Sequence, residues 1–583
     1  MTGHGRQADA IDNELRHRQT ICWPLKLVAR WFHGQVESEG ERLCSFLVLP
    51  DSGGRKLDTE ASRQEPVRPE QGNGDQLAAA ESSELRFWEV WTRSFQQAVS
   101  SAGATENQKD RTGELASVWL AELSENFDQF LRSPAFLAAM KRQLDAIVQA
   151  KLLAKRSNHQ PASDQPTDLP SHSVCARSAI QQRIDRLETR LGALEGRSIR
   201  SPQRESQSVE HTHSVVLPAN DARRCVESVT WDMQQDNEQA WSRVWETLFP
   251  KSKQRIPVGM TPADVVFHEG SLRLLHYRNP QPVRYREPVL VCFALVNRPY
   301  ILDWHPRRSV VQQLLAGGLD VYLIDWGIPD DDDRQRTIDD YVNQKLHRVV
   351  EWTSARHANQ PIHLLGYCMG GTLATLYTCL HPQRIKNLIL MATPIDFEQG
   401  DSLLHRWTDP AYFDVDTFID AFGNCPGPFL QACFRMMKPV QNFHQKYLQL
   451  WNHREDQQYV EHFAAMERWS GESIPVAGET FRQFVRWLYQ ENRLVRNQLE
   501  LAGHPVSLRQ ITCPLLLLTA DADHLVPPPS SLALCGAVGS SDVQTQSVPV
   551  GHVGLAVSSR AHSAFWPRAV RWLADRSTPV AER

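Results

Sequence analysis

Apolar positions in the first third of the chain recur at helical spacings. Leu85, Trp88, Trp91 and Phe95 fall three and four apart and share one helix face. A second helix begins near Leu115 and carries Trp119, Leu123, Phe127 and Phe130. Ser133-Pro134 has the form of an N-cap followed by proline at the first helical position. The helix it opens carries Phe136, Met140, Leu144, Ile147 and Leu152. It ends in the basic run 151–156, whose positive charge suits a helix C-terminus. Ile180, Ile184, Leu187, Leu191 and Leu194 then alternate spacings of four and three, the a/d seam of a helical hairpin arm or short coiled coil. About two heptads do not hold together alone, so the same stripe also reads as an amphipathic helix on its own neighbours.

From about Cys225 short β-rich runs alternate with helical segments. Residues 289–293, 321–324, 362–365, 388–391 and 515–519 are near-continuous apolar stretches, each followed by loop residues and most then by a helix. That pattern predicts an α/β fold with a parallel sheet covered on both faces. Residues 398–500 break the rhythm. They are helical and aromatic (Trp407, Tyr412, Trp451, Trp469, Trp487), which predicts a cap inserted after a sheet strand and lying over the carboxyl edge, where open α/β sheets bind ligands. The expected organisation is therefore residues 1–84 unassigned, with 51–83 reading as disordered; 85–200 helical; 201–224 a polar linker; and 225–583 an α/β module with its cap. His211 and His213 in the linker read as solvated rather than as metal ligands.

Composition narrows the function. The 583 residues, about three or four domains' worth of chain, are 41% apolar, and the net charge of −5 gives no push toward nucleic acid. Eleven cysteines occur with no CxxC pair and no Cys/His spacing that suggests zinc. The first thirty residues lack a signal-like apolar run, and no stretch reaches the ~18–20 apolar residues of a membrane span. A cytoplasmic protein with reduced thiols and at most peripheral lipid contact is the expectation.

The sharpest local signal is Gly366-Tyr367-Cys368-Met369-Gly370-Gly371, after an apolar strand and before an apolar helix. It is the nucleophile elbow of an α/β-hydrolase with cysteine in the serine position. Glycines on both sides let a strained strand-to-helix turn crowd without Cβ clashes. The sulfur would sit at a helix N-terminus, whose partial positive charge favours an anion, and the Met369 N–H would point where an oxyanion forms. On this fold the acid and then the histidine follow the nucleophile. Asp523 follows the strongest apolar strand, with Asp521 as a rival acid, and His552 lies in Gly551-His-Val-Gly554 before the last helix. His524 reads as structural. Val296, in the loop after residues 289–293, is the candidate second oxyanion donor through its N–H. Substrate-binding side chains are not assigned, and no metal ligand set is found. A cysteine elbow holds its acyl group as a thioester, so exchange with another thiol is near balance and acyl transfer is favoured over hydrolysis if water is kept out. The other enzyme with the same elbow is a cysteine-dependent hydrolase, thioesterase- or dienelactone-hydrolase-like. A scaffold that keeps the fold without turnover is the non-enzymatic reading.

Residues 259–576 resemble the catalytic subunit of class III polyhydroxyalkanoate synthases. The shared motifs are Thr261-Pro262 with Leu272-Arg-Leu-Leu-His-Tyr277, Ala294-Leu-Val-Asn-Arg-Pro-Tyr-Ile-Leu-Asp303, Val321-Tyr-Leu-Ile-Asp-Trp-Gly327, Leu365-Gly-Tyr-Cys-Met-Gly-Gly-Thr372, Asp523-His-Leu-Val-Pro-Pro528 and Gly551-His-Val-Gly554. The resemblance implies that Cys368 carries the growing chain as a thioester and that His552 deprotonates it. Asp523 would assist the 3-hydroxyl of the incoming (R)-3-hydroxyacyl-CoA, with short-chain monomers such as 3-hydroxybutyryl-CoA favoured. It implies no cofactor, CoA leaving as product, a homodimer or higher oligomer, and residence at polymer granules in the cytoplasm. Residues 85–196 resemble the accessory subunit of the same class through Trp88/Trp91, Phe130-Leu-Arg-Ser-Pro-Ala-Phe136 and the stretch from Leu169-Pro170 to the heptad helix, which implies a natural fusion. Residues 1–84 match nothing in the family, and Met369 stands where other members commonly carry a polar or smaller residue. The acidic run 330–333 reads as a solvated loop.

Overall fold

A computed structural model describes residue 121 and residues 124–157 and 258–580. The helices expected around Leu85–Phe95 and the seam at 180–194 lie outside the described residues, as do the linker and its two histidines. The chain divides into two compact units, one of residues 1–141, 254–415 and 423–583, the other of 142–253 and 416–422.

The first unit is built on an eight-stranded sheet. Its strands are β1 (Ala263–Glu269), β2 (Leu272–Tyr277), β3 (Val289–Cys292), β4 (Val321–Asp325), β5 (Ile362–Tyr367), β6 (Ile385–Met391), β9 (Leu515–Ala520) and β10 (Val543–Val548); a separate hairpin pairs β7 (Glu500–Leu501) with β8 (His504–Pro505). The order across the sheet is β1-β2-β4-β3-β5-β6-β9-β10. β1, β2 and β4 pair antiparallel, and every pairing from β4 through to β10 is parallel. β3, β4, β5 and β9 are buried at every position. A parallel strand buried on both faces needs an unbroken apolar run, and these are four of the five runs the sequence shows; the fifth, 388–391, is the buried part of β6. β1 and β10 carry exposed and polar positions because they are the sheet's edges.

Helix α1 is Pro134–Ser157, and its cap is the one its sequence predicts: Ser133 Oγ accepts from Phe136 N at 3.2 Å. In the second unit Lys155 near the end of α1 donates to the Asp420 carbonyl at 2.7 Å. Helices α2 (Val310–Ala316), α3 (His347–Arg356) and α4 (Met369–Leu380) follow strands β3, β4 and β5. Between β6 and β9 the cap supplies α5 (Leu403–Trp407), α6 (Val415–Phe422), α7 (Gly427–Met436), α8 (Lys446–Asn452), α9 (Gln457–Gly471) and α10 (Gly478–Gln483). The end of α9 and the loop after it dock on the loop leaving β3. Trp469 Nε1 donates to the Arg298 carbonyl at 2.9 Å, Ser473 Oγ to Asn297 Oδ1 at 3.0 Å, and Ile474 N to the Val296 carbonyl at 3.2 Å. The cap thus sits on the carboxyl edge of the sheet. No helix among the described residues is long and apolar enough to cross a membrane.

One sequence expectation is corrected. The acidic run 330–333 is not wholly solvated: Asp333 is 7% exposed, pairs with Arg336 and accepts from Asp330 N. The short 3-10 turn Asp332–Gln335 tucks this carboxylate inward to tie its own loop.

Candidate active site

The turn from β5 into α4 places Cys368 at φ 53° and ψ −127°, a backbone region that costs a residue with a side chain about 1–3 kcal/mol. Two bonds hold it there: Cys368 N to the Met391 carbonyl at 2.9 Å and Gly371 N to the Cys368 carbonyl at 2.8 Å. The glycines are sterically required. A Cβ on Gly366 would lie 2.4 Å from Gly371 Cα, and one on Gly370 would lie 2.3 Å from the Cys292 carbonyl oxygen. The elbow is therefore wedged between its own helix and the end of β3.

Asp523 and His552 come from the loops after β9 and β10, the two strands at one side of the sheet. His552 Nδ1 lies 2.7 Å from Asp523 Oδ2, and no water reaches the Asp523 side chain. Asp523 Oδ1 accepts from Leu525 N and Val526 N, each at 2.9 Å. Three donors thus fill three of the roughly four acceptor sites of a buried carboxylate and aim it. With Nδ1 committed to Asp523, the other ring nitrogen is left for the thiol, and the Cys368 side chain is near enough to act on the charge of the ring. Burial alone would push the His552 imidazolium pKa down. The Asp523 charge, the Cys368 charge and their hydrogen bonds outweigh it and push the pKa up to about 10. The structure thus brings Cys368, His552 and Asp523 together, with His552 hydrogen-bonded to Asp523.

Asp521, the rival acid, is exposed and turned to Ser547 Oγ. His524 is pushed down to about 4 by burial and then by the Lys438 charge, which keeps its ring neutral. Met369 opens α4 and is 7% exposed; Val296 lies in the bend after β3, its carbonyl engaged by the cap. Among the described residues no group of three or more His, Cys, Asp or Glu could hold a metal ion, and all seven described cysteines are free.

A family model for the alpha/beta hydrolase fold matches residues 287–555, and one for the N-terminus of poly-beta-hydroxybutyrate polymerase (PhaC) matches residues 224–314. The poly(3-hydroxyalkanoate) polymerase subunit PhaC of Haloferax mediterranei is 44% identical over 322 residues, 55% of this chain and 65% of that protein. Its counterpart in Allochromatium vinosum is 41% identical over 325 residues, 55% of this chain and 91% of that protein. The chain belongs to the poly(3-hydroxyalkanoate) polymerase family. The match spans less than two thirds of the haloarchaeal polymerase and nearly all of the Allochromatium one. Among solved structures, a soluble variant of the Saccharomyces cerevisiae monoglyceride lipase aligns at TM-score 0.35 and 12% identity, over 56% of this chain and 100% of that one.

Two further side chains shape this polymerase-family site, and the sequence did not single them out. Tyr367 stacks on the His552 ring at 5.3 Å and 21°, and its hydroxyl donates to the His552 carbonyl at 3.3 Å. It precedes the nucleophile, so strand alternation turns it away from the sulfur and toward the histidine loop. Tyr489, from the cap, is held neutral by burial and then by the Cys368 charge. Nothing local marks it, since its place depends on the cap folding back over the elbow.

Proposed function

We propose that the chain polymerises (R)-3-hydroxyacyl-CoA by covalent catalysis on Cys368. The observation that carries this is the Cys368–His552–Asp523 chain at the elbow of a polymerase-family fold. His552 Nε2 takes the thiol proton, and Asp523 holds the resulting imidazolium. The thiolate attacks the CoA thioester. Amide N–H groups of Met369 and Val296 are assigned to the oxyanion, and CoA leaves with the proton returned by His552. In elongation, His552, backed by Asp523, deprotonates the 3-hydroxyl of a second monomer. That oxygen attacks the acyl–Cys368 thioester, forming an ester and releasing the Cys368 thiol. The lengthened CoA thioester then reloads Cys368 and expels CoA. Each cycle breaks one CoA thioester and makes one ester, so no external cofactor enters the balance.

Short-chain monomers such as (R)-3-hydroxybutyryl-CoA are the proposed substrate. Residues 85–200 are proposed to serve as a built-in accessory subunit, present at high effective concentration through the linker 201–224. The proposed working form is an oligomer at the surface of cytoplasmic polymer granules. Purified full-length protein with (R)-3-hydroxybutyryl-CoA should release CoA, deposit insoluble polyester and gain acyl mass on the peptide holding Cys368. Soluble 3-hydroxy acid as the sole product would instead make it a cysteine hydrolase.

A further inference from the structure

Leu525 does two things at once. Its backbone N–H donates to Asp523 Oδ1 at 2.9 Å, and its side chain packs against a cluster built by the N-terminal helical region. The core of that cluster is Leu131, Phe136 and Leu137 from the N-terminal side and Leu403, Trp407 and Met437 from the cap. Leu131 is 1% exposed and Phe136 3%, which makes this a packed core rather than a surface touch. Phe136 stands 6.2 Å from the Trp407 ring, and Trp407 Nε1 donates to the Leu131 carbonyl at 3.2 Å. Arg132 closes the edge with an ion pair to Asp401 at 2.9 Å and a bond to the Asp401 carbonyl at 2.5 Å. Next along the chain, Ser402 Oγ reaches the Leu525 carbonyl at 3.5 Å.

We infer that residues 131–140 position the general-base pair: they clamp the loop 523–527 through the Leu525 side chain and so hold the Asp523 carboxylate on His552. The rigid link is short. The clamped side chain and the amide that holds Asp523 Oδ1 belong to one residue, so a shift of its Cα moves the carboxylate. The hydrophobic cluster supplies most of the hold, because Arg132 and Asp401 are partly solvated and such pairs contribute little. Phe136 and Leu525 are positioning residues, since neither touches the reacting atoms.

The inference rests on the reading of Cys368, His552 and Asp523 above, and its test separates the two. In the full chain, Cys368 alkylation by iodoacetamide is followed against pH for Phe136→Ala, Leu525→Ala, the double variant, and Asp523→Asn. Phe136→Ala and Leu525→Ala should each slow alkylation at pH 7 by about 3- to 10-fold. The difference should fade at alkaline pH, where the thiol ionises unaided. The double variant should be no slower than the worse single one, because both cut the same link. Phe136→Leu should restore most of the rate. A variant that merely loosens the helix lowers the unfolding temperature and leaves the pH profile of the folded protein unchanged; that result, or additive effects in the double variant, overturns the inference. If Asp523→Asn also leaves the profile unmoved, it is the catalytic reading that has failed. Should Phe136→Ala not fold, Leu525→Ala with Phe136→Leu carries the test, since Leu525→Ala removes no core volume from α1 and Phe136→Leu removes little.

Discussion

Replacing Asp523 by Asn keeps the shape of the site and removes one charge. The carboxylate is fully buried, 2.7 Å from His552 Nδ1, and is the largest of the influences that raise the imidazolium to about 10 against the opposing pull of burial. Breaking a buried charged pair costs about 3–5 kcal/mol. At about 1.4 kcal/mol per pKa unit, that lowers His552 by roughly 2–4 units. The sign is then fixed. With the imidazolium no longer favoured, the ring stops taking the thiol proton near neutrality. A thiol left to itself ionises near pH ~8.5, so only about 3% is thiolate at pH 7. Iodoacetamide alkylation of Cys368 should therefore fall about 30-fold at pH 7 and converge with the parent protein above pH ~9. Polyester synthesis should fall further, since Asn can also present its amide N–H to Nδ1 and fix the wrong tautomer. An unchanged alkylation rate at pH 7, or a loss equal at every pH, would refute the base role assigned to the pair.

Three other changes are expected to separate fold from chemistry. Gly370→Ala drives a Cβ to 2.3 Å and 2.4 Å from the carbonyl oxygens of Cys292 and Phe293, both rigid backbone; expression with loss of cooperative unfolding by circular dichroism, at a cost above about 3 kcal/mol, is expected. Cys368→Ser keeps the elbow but loads acyl groups as an oxygen ester, so a burst of about one CoA per site followed by a stall is expected in a stopped-flow thiol assay. Asp320 is buried, which would raise its carboxyl, but hydrogen bonds from His276 and His357 hold it well below the usual range. Its contribution is present above the unfolded value of ~3.9 and is lost as pH falls through the folded one. Asp320→Asn should therefore cost about 2 kcal/mol in urea unfolding at pH 7, and the gap should close only in strong acid.

The sheet's interior was legible because its chemistry is one-dimensional. Strands buried on both faces must be written as unbroken apolar runs, and all five such runs became strands, four of them a residue or more longer than the run itself. β1 and β10, the two edges of the sheet, were missed for the converse reason. An outer strand such as Val543–Val548 has a neighbour on one side only and keeps Gln544, Thr545 and Ser547 in water, so its composition is that of a loop. The elbow was legible because its steric demand leaves a local trace in glycines. Asp523 and His552 were proposed from their order along the chain. The choice of Asp523 over Asp521 rests on geometry that no spacing encodes: only Asp523 turns its carboxylate under its own loop amides.

Leu525 is written in the sequence only as an apolar residue in a Pro-bounded loop, and Phe136 only as one position on a helical stripe. Their relation is invisible at that level, because 389 positions of chain separate them. Hydrophobic periodicity reports that a face is buried and never against what. The proposed nucleophile is specified by a handful of adjacent residues, while the aim of its proposed base depends on contacts assembled from three distant stretches: the start of α1, the entry to the cap, and the loop after β9. Chemistry of this kind is robust to changes far from Cys368 in sequence only where those changes are also far from it in packing. A substitution at Phe136 should therefore be felt at the sulfur, whereas Asp521, two residues from the proposed acid Asp523, should tolerate change to Asn with little loss of rate.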